Sequence, residues 1–203
     1  MQWFIALAAC GGAPVPEPLT HPTQAPWSVD GADGPGVASC ASCHHADGGG
    51  RPDGSIPRLA GQRASVLSAK LDRIADGTVH LPVMLPFARA LDSDARQRVA
   101  TTLADLPRPQ VIGTGDGGAL DRGATAYAGL CASCHGATGE GRDTPPTPAL
   151  CGQHHGYLVR RALDSAAGTR SDIDPVMAAV VSTLSPDDLD AIADHLSRCG
   201  GAE

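Results

Sequence analysis

The segments that decide the fold are residues 39–54, SCASCHHADGGGRPDG, and residues 130–144, LCASCHGATGEGRDT. Both contain Cys-Ala-Ser-Cys-His followed by glycines, and the two copies lie ninety-one residues apart. At the same offset, IPRLAGQRASVL from Ile56 matches TPALCGQHHGYL from Thr147. A further match, ALDSDARQRVATTLADL from Ala90 with TLSPDDLDAIADHLSRC from Thr183, has an offset of ninety-three. These matches predict an internal duplication and therefore two similar domains.

The composition limits the core that these domains can have. The chain has 203 residues, of which only 3% are aromatic. A side-chain core would be thin for domains of about 80 residues, so we expect another group to fill it. The chain contains a single lysine and no basic patch with interleaved aromatic residues. Nucleic acid is therefore excluded as a partner.

The N-terminal segment predicts export and membrane attachment. Residues 1–9 include the apolar run WFIALAA, which is typical of a secretory signal and too short to span a bilayer. The sequence LAAC then resembles a bacterial lipoprotein processing box, so Cys10 is the predicted lipidation site; a disulfide at Cys10 is the alternative. Residues 10–31 are rich in proline and predict an extended tether.

Two all-α domains are predicted downstream, at residues 32–106 and 121–203. The Pro/Gly-rich segment 107–120 between them lacks apolar periodicity and is interpreted as a linker. Longer helices are expected near residues 64–75, 93–106, 157–166 and 185–198, and shorter ones should end near Cys40 and Cys131. In the last long helix, Ser185 is the expected N-cap and Pro186 the first helical residue.

The repeated cysteines permit three kinds of chemistry. Two thiols separated by two residues can bind zinc, form a redox disulfide or, with the adjacent histidine, attach haem covalently. A single zinc site would use Cys40, Cys43, Cys131 and Cys134. It would leave both histidines and the duplication unexplained. We therefore interpret each motif as a site for covalent haem c, with His44 and His135 as axial ligands of the iron.

The sixth ligand is expected downstream of each motif. Apart from Met1, the chain has only two methionines: Met84, forty residues after His44, and Met177, forty-two residues after His135. Each follows a proline by two residues, which favours a loop over a helix interior. Methionine is also a common filler of core gaps. The matched positions favour axial ligation by both residues.

These features together resemble a known family. The paired Cys-x-x-Cys-His motifs, the P-x-L-x-G-Q segments, the downstream methionines and the closing amphipathic helix are similar to those of tandem class I dihaem c-type cytochromes, such as cytochrome c4 and its periplasmic relatives. The resemblance covers residues 33–199. It implies two cytochrome c-like domains in which the carbonyl groups of Pro57 and Pro148 accept the other ring N–H of the axial histidines.

The sequence departs from this family in the closing helix, where a tyrosine is expected against the haem. Thr102 and His195 stand there instead. His154 and His155 lie in a predicted loop and are weaker alternatives to Met177 as ligand. The remaining histidines of the two domains are interpreted as packing or surface residues: His45, His80 and His195.

Counting cysteines leaves two without a role. Of seven cysteines, four belong to the haem motifs and one to the lipidation site. The remaining pair, Cys151 and Cys199, lies in one domain, and an oxidising compartment favours a disulfide between them. Two buried free thiols are the alternative.

Histidine and methionine together leave no open position on the iron and raise its potential, which implies an electron carrier and not an enzyme. The expected partners are redox proteins, such as a quinol–cytochrome c reductase and a terminal oxidase, on the periplasmic side of a bacterial membrane. One alternative is an electron-entry subunit of a larger dehydrogenase or oxidase. Another is a dihaem peroxidase or haem sensor, in which one iron lacks its sixth ligand.

Charge differs between the two halves of the chain. Residues 32–110 contain nine basic and eight acidic groups, whereas residues 111–203 contain six basic and twelve acidic groups. Such a difference predicts either an orienting field for partners or ordinary solubilising charge.

Overall fold

The computed structural model describes residues 36–200, with side chains from residue 40 onward. Its helices are α1 (Gly36–His44), α2 (Ala64–Ala75), α3 (Leu85–Arg89), α4 (Ser93–Asp105), α5 (Leu120–Leu130), α6 (Ala132–His135), α7 (His155–Ala166), α8 (Pro175–Ser182) and α9 (Pro186–Arg198). These residues form no β-strand, only an isolated bridge between Arg142 and Thr147. The all-α prediction is confirmed. The predicted signal peptide, Cys10 and the tether lie outside the described residues.

The helix boundaries agree with the periodicity where the helices are long. Ser185 caps α9 as predicted: its Oγ accepts the Asp188 N–H at 3.2 Å, and the Asp188 carboxylate accepts the Ser185 N–H at 3.2 Å. Helix α1 continues through His44, whereas the sequence suggested an end near Cys40. Helices α3 and α8 were not predicted, because each is short and carries a proline in its first turn, where proline is tolerated.

In the first half of the chain, which we call the first repeat (residues 36–106), α2 and α4 pack together. Their contact buries one aliphatic cluster: Leu67, Leu91, Ala95, Val99, Ala100 and Leu103. Cys40 and Ala41 of α1 pack against this cluster. A smaller cluster of Ile74, Val79 and Ala88 joins the end of α2 to α3. The first Cys-x-x-Cys-His motif is thus fixed to the helical core of its own repeat.

In the second repeat (residues 118–200), α5 crosses α9 closely. A Cβ atom on Gly123 would stand 2.0 Å from the Ala191 carbonyl oxygen, so only glycine permits this crossing. Tyr127 of α5 packs with Ile192 and Leu196 of α9, and all three side chains are buried. Helix α7 packs on both α8 and α9. The crossing places the segment 131–135 next to this core.

The two repeats contact each other through polar side chains. Asp172 of the second repeat, whose side chain is 4% exposed, pairs with Lys70 of α2 and with Arg161 and Arg170 of its own repeat. Ser65 Oγ of α2 donates a 2.7 Å hydrogen bond to Asp143. Burial, and to a smaller extent the neighbouring arginines, disfavours the charged ammonium and lowers the pKa of Lys70 to about 7. Directed polar bonds therefore join the two repeats at these positions.

Arg58 lies in this interface and is 1% exposed. Its guanidinium donates to the carbonyl oxygens of Ala60, in its own repeat, and of Cys151, in the other. These two carbonyls occupy equivalent positions, since ninety-one residues separate them. Ala149 is the residue equivalent to Arg58, so the second repeat has no matching guanidinium. Burial and the neighbouring Arg108 lower the pKa of Arg58 to about 10, so the group stays charged at neutral pH.

The segment between α4 and α5 is tied down by Asp194 of α9. This carboxylate, 3% exposed, accepts the backbone N–H groups of Gly115 at 2.9 Å and Gly117 at 2.6 Å and the Arg198 Nε–H at 2.8 Å. Burial alone would raise the pKa of Asp194, but these bonds outweigh it and the pKa is lowered. The linker is therefore held against the closing helix.

We expect Asp194→Asn to lower the free energy of unfolding by about 1.5–3 kcal/mol at neutral pH, because an amide can satisfy only part of this set of charge-assisted bonds. Since the native pKa of Asp194 is depressed, its contribution is complete above the pKa of the unfolded state. The contribution is lost as pH falls through the native pKa. Denaturant unfolding at several pH values measures both effects.

The matched control is Asp187→Asn in the exposed first turn of the same helix. It should cost only a few tenths of a kcal/mol through the helix dipole. Equal losses in the two variants, or an Asp194→Asn loss that persists in acid, would contradict the role given to Asp194.

Candidate functional site

The first Cys-x-x-Cys-His motif occupies the last turns of α1. His44 is 6% exposed, and its Nδ1 lies 3.0 Å from the Pro57 carbonyl oxygen. The Gly50 N–H donates to the His44 carbonyl at 2.9 Å. The glycine-rich loop thus turns back onto the histidine, and the chain returns at Pro57 to hold the ring.

The second motif repeats this arrangement. Cys131 follows α5, and α6 carries Cys134 and His135. His135 is also 6% exposed, and its Nδ1 lies 3.0 Å from the Pro148 carbonyl oxygen. The Gly141 N–H donates to the His135 carbonyl at 2.7 Å. The two sites agree in every one of these contacts.

A carbonyl oxygen can only accept, so in both rings Nδ1 carries the proton and Nε2 keeps its lone pair. That tautomer is the one in which imidazole binds a metal ion through Nε2. Burial lowers the pKa of His44 and of His135 and outweighs the opposing effect of the proline carbonyls. Both rings are therefore neutral, as a metal ligand must be.

The thiols fit attachment to haem better than the two other chemistries. Cys131 and Cys134 are thiols in the structure, not a disulfide. Burial raises the pKa of Cys40 and of Cys131, whereas a redox-active Cys-x-x-Cys pair has a lowered pKa. Within residues 40–200, no three His, Cys, Asp or Glu side chains converge on a metal position, so the structure forms no four-sulfur zinc site. The donor set that remains is two thiols and one neutral imidazole on each motif.

The two predicted methionine ligands stand at equivalent places. Met84 is the N-cap residue of α3, half-buried against Ile74, Val79 and Ala88, and α3 contacts α1. Met177 is the third residue of α8 and is also half-buried. The expected loop is wrong for Met177, because Pro175 begins a helix that the Asp174 carboxylate caps at 2.8 Å. Axial ligation by either methionine remains a prediction.

The other histidines have separate surroundings. His154 is fully buried, its Nδ1 accepts the Gly113 N–H at 3.1 Å, and its Nε2–H donates to the Gly49 carbonyl at 2.7 Å. No ring nitrogen of His154 is left for iron, which argues against it as a ligand. His155 Nε2 lies 3.0 Å from Asp190 Oδ1.

Thr102 and three further histidines have surroundings of different kinds. His195 on α9 has its ring centroid 6.1 Å from that of Tyr127. Thr102 on α4 is half-buried and donates to the Arg98 carbonyl at 3.0 Å. His80 is exposed, and His45 is half-buried with φ of 62°.

Tyr127 is a site residue that sequence reasoning missed. It is 2% exposed, and its hydroxyl donates a 2.5 Å hydrogen bond to the carbonyl of Gly136, the residue after His135. Burial raises the pKa of Tyr127 to about 12, so the phenol keeps its proton. A signal was present, since one of only two tyrosines in the chain stands four residues before Cys131.

Cys151 and Cys199 are joined in a disulfide, with their Cα atoms 5.3 Å apart. Cys199 is the C-cap residue of α9, and Cys151 follows the Pro148 segment that supports His135. The bond therefore ties the closing helix to the loop beside the second motif.

A protein-family model matches the second half of the chain. The family described as cytochrome C oxidase, cbb3-type, subunit III, matches residues 118–196. Across residues 36–200, no helix is long and apolar enough to cross a membrane.

Two relatives align over most of the chain. A thiosulfate dehydrogenase electron acceptor from Stutzerimonas stutzeri is 32% identical over 186 residues, covering 86% of this chain and 85% of the relative. A cytochrome c4 from Pseudomonas aeruginosa is 33% identical over 173 residues, covering 79% of this chain and 83% of the relative.

Solved structures show the same similarity. Reduced recombinant cytochrome c4 from Pseudomonas stutzeri superimposes with a TM-score of 0.73 at 26% identity, over 80% of this chain and 94% of that one. A thiosulfate dehydrogenase from Marichromatium purpuratum superimposes with a TM-score of 0.66 at 28% identity, over 80% of this chain but only 36% of that one.

We expect removal of the Cys151–Cys199 bond to lower the free energy of unfolding by about 2–4 kcal/mol, because a cross-link over a sequence separation of 48 residues restricts the unfolded chain. The variants are Cys151→Ala, which introduces the residue found in the first repeat, and Cys199→Ser. Each single variant should lose as much stability as the double variant, since each breaks the same bond. Additive losses, or two reactive thiols in the unreduced parent protein, would show that the bond is absent.

Proposed function

The chain belongs to the family of cytochrome c4-like dihaem cytochromes, and we propose that it carries single electrons between redox proteins on the periplasmic side of a bacterial membrane. This membership confirms three predictions from the sequence. They are the resemblance to this family, the tandem arrangement of two cytochrome c-like domains, and the presence of two covalently bound haem c groups. The proposed carrier role agrees with the relatives, since cytochrome c4 proteins are electron-transfer cytochromes.

The observation that carries this proposal is the equivalence of the two histidine sites. In each, a buried neutral imidazole donates Nδ1–H to a proline carbonyl at 3.0 Å and keeps Nε2 for iron. A peroxidase or sensor needs one site that differs, with an iron that lacks its sixth ligand. Both repeats here present the same donors and a half-buried methionine at the start of a helix, which favours two closed sites and a carrier.

We assign the following roles to the residues of the chain. Cys40 and Cys43, and likewise Cys131 and Cys134, would hold the haem groups through thioether bonds. His44 and Met84 would bind the first iron, and His135 and Met177 the second. When bound, each haem supplies one-electron redox chemistry, and the protein itself makes and breaks no bond.

The proposed order of segments would hold two haem domains at a membrane surface. We propose residues 1–9 as the signal peptide, Cys10 as the lipid anchor, residues 10–31 as the tether, and haem domains at 32–106 and 121–203 joined by 107–120. Helices α1–α4 and α5–α9 fall to either side of this linker, except that α5 already begins at Leu120. The charges of about +1 and −6 on the two halves would orient different faces toward donor and acceptor.

The names of the relatives suggest one class of electron donor, in addition to the quinol–cytochrome c reductase expected from the sequence. Two relatives, from Stutzerimonas stutzeri and Thiomonas intermedia, are called thiosulfate dehydrogenase electron acceptor. A thiosulfate dehydrogenase is therefore one proposed donor, and a quinol–cytochrome c reductase is the other. A terminal oxidase is the proposed acceptor.

Reduction of the oxidised protein by each purified donor with its substrate, followed by haem absorbance, tests these partners. We expect rapid reduction by at least one donor, with a rate that falls as ionic strength rises, because charge complementarity steers the encounter. Reduction by neither, together with a subunit that always co-purifies, would instead indicate an electron-entry subunit of a larger complex.

We expect Met84→Ala and Met177→Ala each to lower the potential of one haem, by an amount on the order of 0.1 V or more, within the range of about 0.8 V that axial ligands span. Each variant should also open one haem to carbon monoxide in the reduced state, because the sixth position becomes vacant. A spectroscopic redox titration of native and variant protein measures both effects.

Val83→Ala and Val176→Ala are matched controls, since each valine precedes one of the methionines and is 75% or 66% exposed. They should change neither potential nor carbon monoxide binding. Ready binding of carbon monoxide to one haem of the native reduced protein would contradict the carrier and favour a peroxidase or sensor.

A further inference from the structure

We propose that Gln62 and Gln153 couple the two haem sites, because each glutamine holds, from the opposite repeat, the peptide group that supports the other repeat's axial histidine. The inference rests on the proposed function insofar as His44 and His135 are taken as iron ligands. Both glutamines occupy equivalent positions, at the ends of the two P-x-L-x-G-Q segments. The structure shows what their side chains contact.

Gln153 of the second repeat binds the backbone of Arg58 in the first. Its Oε1 accepts the Arg58 N–H at 3.0 Å, and its Nε2 donates to the Arg58 carbonyl at 3.0 Å. The Arg58 N–H belongs to the same peptide group as the Pro57 carbonyl, which accepts the His44 Nδ1–H. One planar peptide group therefore lies between the His44 ring and the Gln153 side chain.

Gln62 of the first repeat makes the equivalent contacts in the opposite direction. Its Oε1 accepts the Ala149 N–H at 2.8 Å, and its Nε2 donates to the Ala149 carbonyl at 2.9 Å. The Ala149 N–H shares a peptide group with the Pro148 carbonyl, which accepts the His135 Nδ1–H. The crossing is thus reciprocal, with two bonds from each glutamine.

The residue after each glutamine crosses the interface as well. His154 Nε2–H donates to the Gly49 carbonyl at 2.7 Å, in the peptide group whose Gly50 N–H donates to the His44 carbonyl. Arg63 Nε–H donates to the Glu140 carbonyl at 2.9 Å, in the peptide group whose Gly141 N–H donates to the His135 carbonyl. Each axial histidine is therefore supported at its ring and at its backbone by peptide groups that the other repeat holds.

Burial makes these bonds effective. Gln62 is 8% exposed and Gln153 4%, so neither amide can exchange its partner for bulk water. In a surrounding of low dielectric constant, hydrogen bonds in a chain polarise one another. An acceptor on the peptide N–H makes the proline carbonyl a better acceptor for the histidine Nδ1–H. The histidine then donates more electron density to iron, which favours the oxidised state and lowers the potential of that haem.

Loss of a glutamine should therefore change the reduction potential of the haem in the opposite repeat. A glutamine with a merely structural role would not produce this crossed effect. If Gln153 only stabilised its own repeat, its loss would affect the haem bound at His135. If it only stabilised the interface, its loss would affect both haems in similar measure. The proposed coupling predicts that loss of Gln153 acts on the haem at His44, and that loss of Gln62 acts on the haem at His135.

The test uses Gln153→Met and Gln62→Met in the full haem-loaded protein, with spectroelectrochemical titration of each haem. NMR assigns each haem by contacts between its shifted methyl signals and residues of its own repeat, so the assignment does not depend on Met84 or Met177. For Gln153→Met we expect the oxidised-to-reduced ratio of the haem at His44 to fall about twofold or more at a fixed applied potential. This corresponds to a rise of about 18 mV in the reduction potential of that haem, at 59 mV per tenfold change in the ratio. The haem at His135 should be unchanged, and Gln62→Met should give the reverse pattern.

A second readout is the Nδ1–H resonance of each histidine in the reduced protein. Gln153→Met should move the His44 signal toward that of a weaker hydrogen bond and leave the His135 signal in place. If a Met variant does not fold, the Asn variant of the same glutamine keeps a polar amide in the interface. It should give the same crossed shift with a smaller amplitude.

Two controls separate coupling from general effects. Gln97→Met removes an exposed glutamine of α4 and should shift neither potential. Ser65→Ala removes the 2.7 Å interdomain bond to Asp143 without touching either proline peptide group, and it should also shift neither. Shifts in the haem of the same repeat, equal shifts in both haems, or a Ser65→Ala shift as large as that of Gln153→Met would each overturn the proposal. Failure of methionine ligation would appear in the titrations of the Met84→Ala and Met177→Ala variants and would leave the crossed pattern measurable.

Discussion

The hydrogen bond from a histidine Nδ1–H to a proline carbonyl is the interaction on which the rest of this structure depends. It selects the tautomer that leaves Nε2 available, and it can form only if the chain returns to the histidine thirteen residues later. The glycines after each motif permit that return: a Cβ on Gly50 would stand 2.5 Å from the Ile56 and Pro57 carbonyl oxygens, and the backbone there has φ of 71°. Proline suits the acceptor position because it has no N–H of its own to satisfy there.

Much of the fold could be predicted from the sequence, because the long helices carry a regular apolar pattern and the duplication supplies each assignment twice. Ser185, Pro186 and the helix that they begin are examples. Short helices could not be predicted in this way: α8 has only eight residues and begins with a proline, which in sequence terms resembles a loop. Its start does carry the signal that identified α9, with Asp174 and Pro175 in place of Ser185 and Pro186, but eight residues are too few to show a helical period.

The candidate sites likewise contain some features that the sequence predicts and others that it does not. Cys-x-x-Cys-His and its equivalent proline are local signals, and both were visible in the sequence. The roles of Gln62, Gln153 and His154 were not, since each depends on a partner 87 to 105 residues away in the chain. His154 illustrates the difficulty well, because a histidine in a loop near a haem motif looks like a ligand until its two ring nitrogens are seen to bind backbone groups of the linker and of the other repeat.

Arg58 shows why the two repeats must differ at one position. Its guanidinium joins two carbonyls, of Ala60 and Cys151, that are equivalent under the approximate twofold relation between the repeats. A point on a symmetry axis can hold one such side chain but not two. A homodimer of identical first repeats would bring two arginines to the same space, and a homodimer of identical second repeats, with alanine at that position, would leave both carbonyls without their donor. Because the two repeats belong to one chain and differ at this position, a single guanidinium can serve both carbonyls.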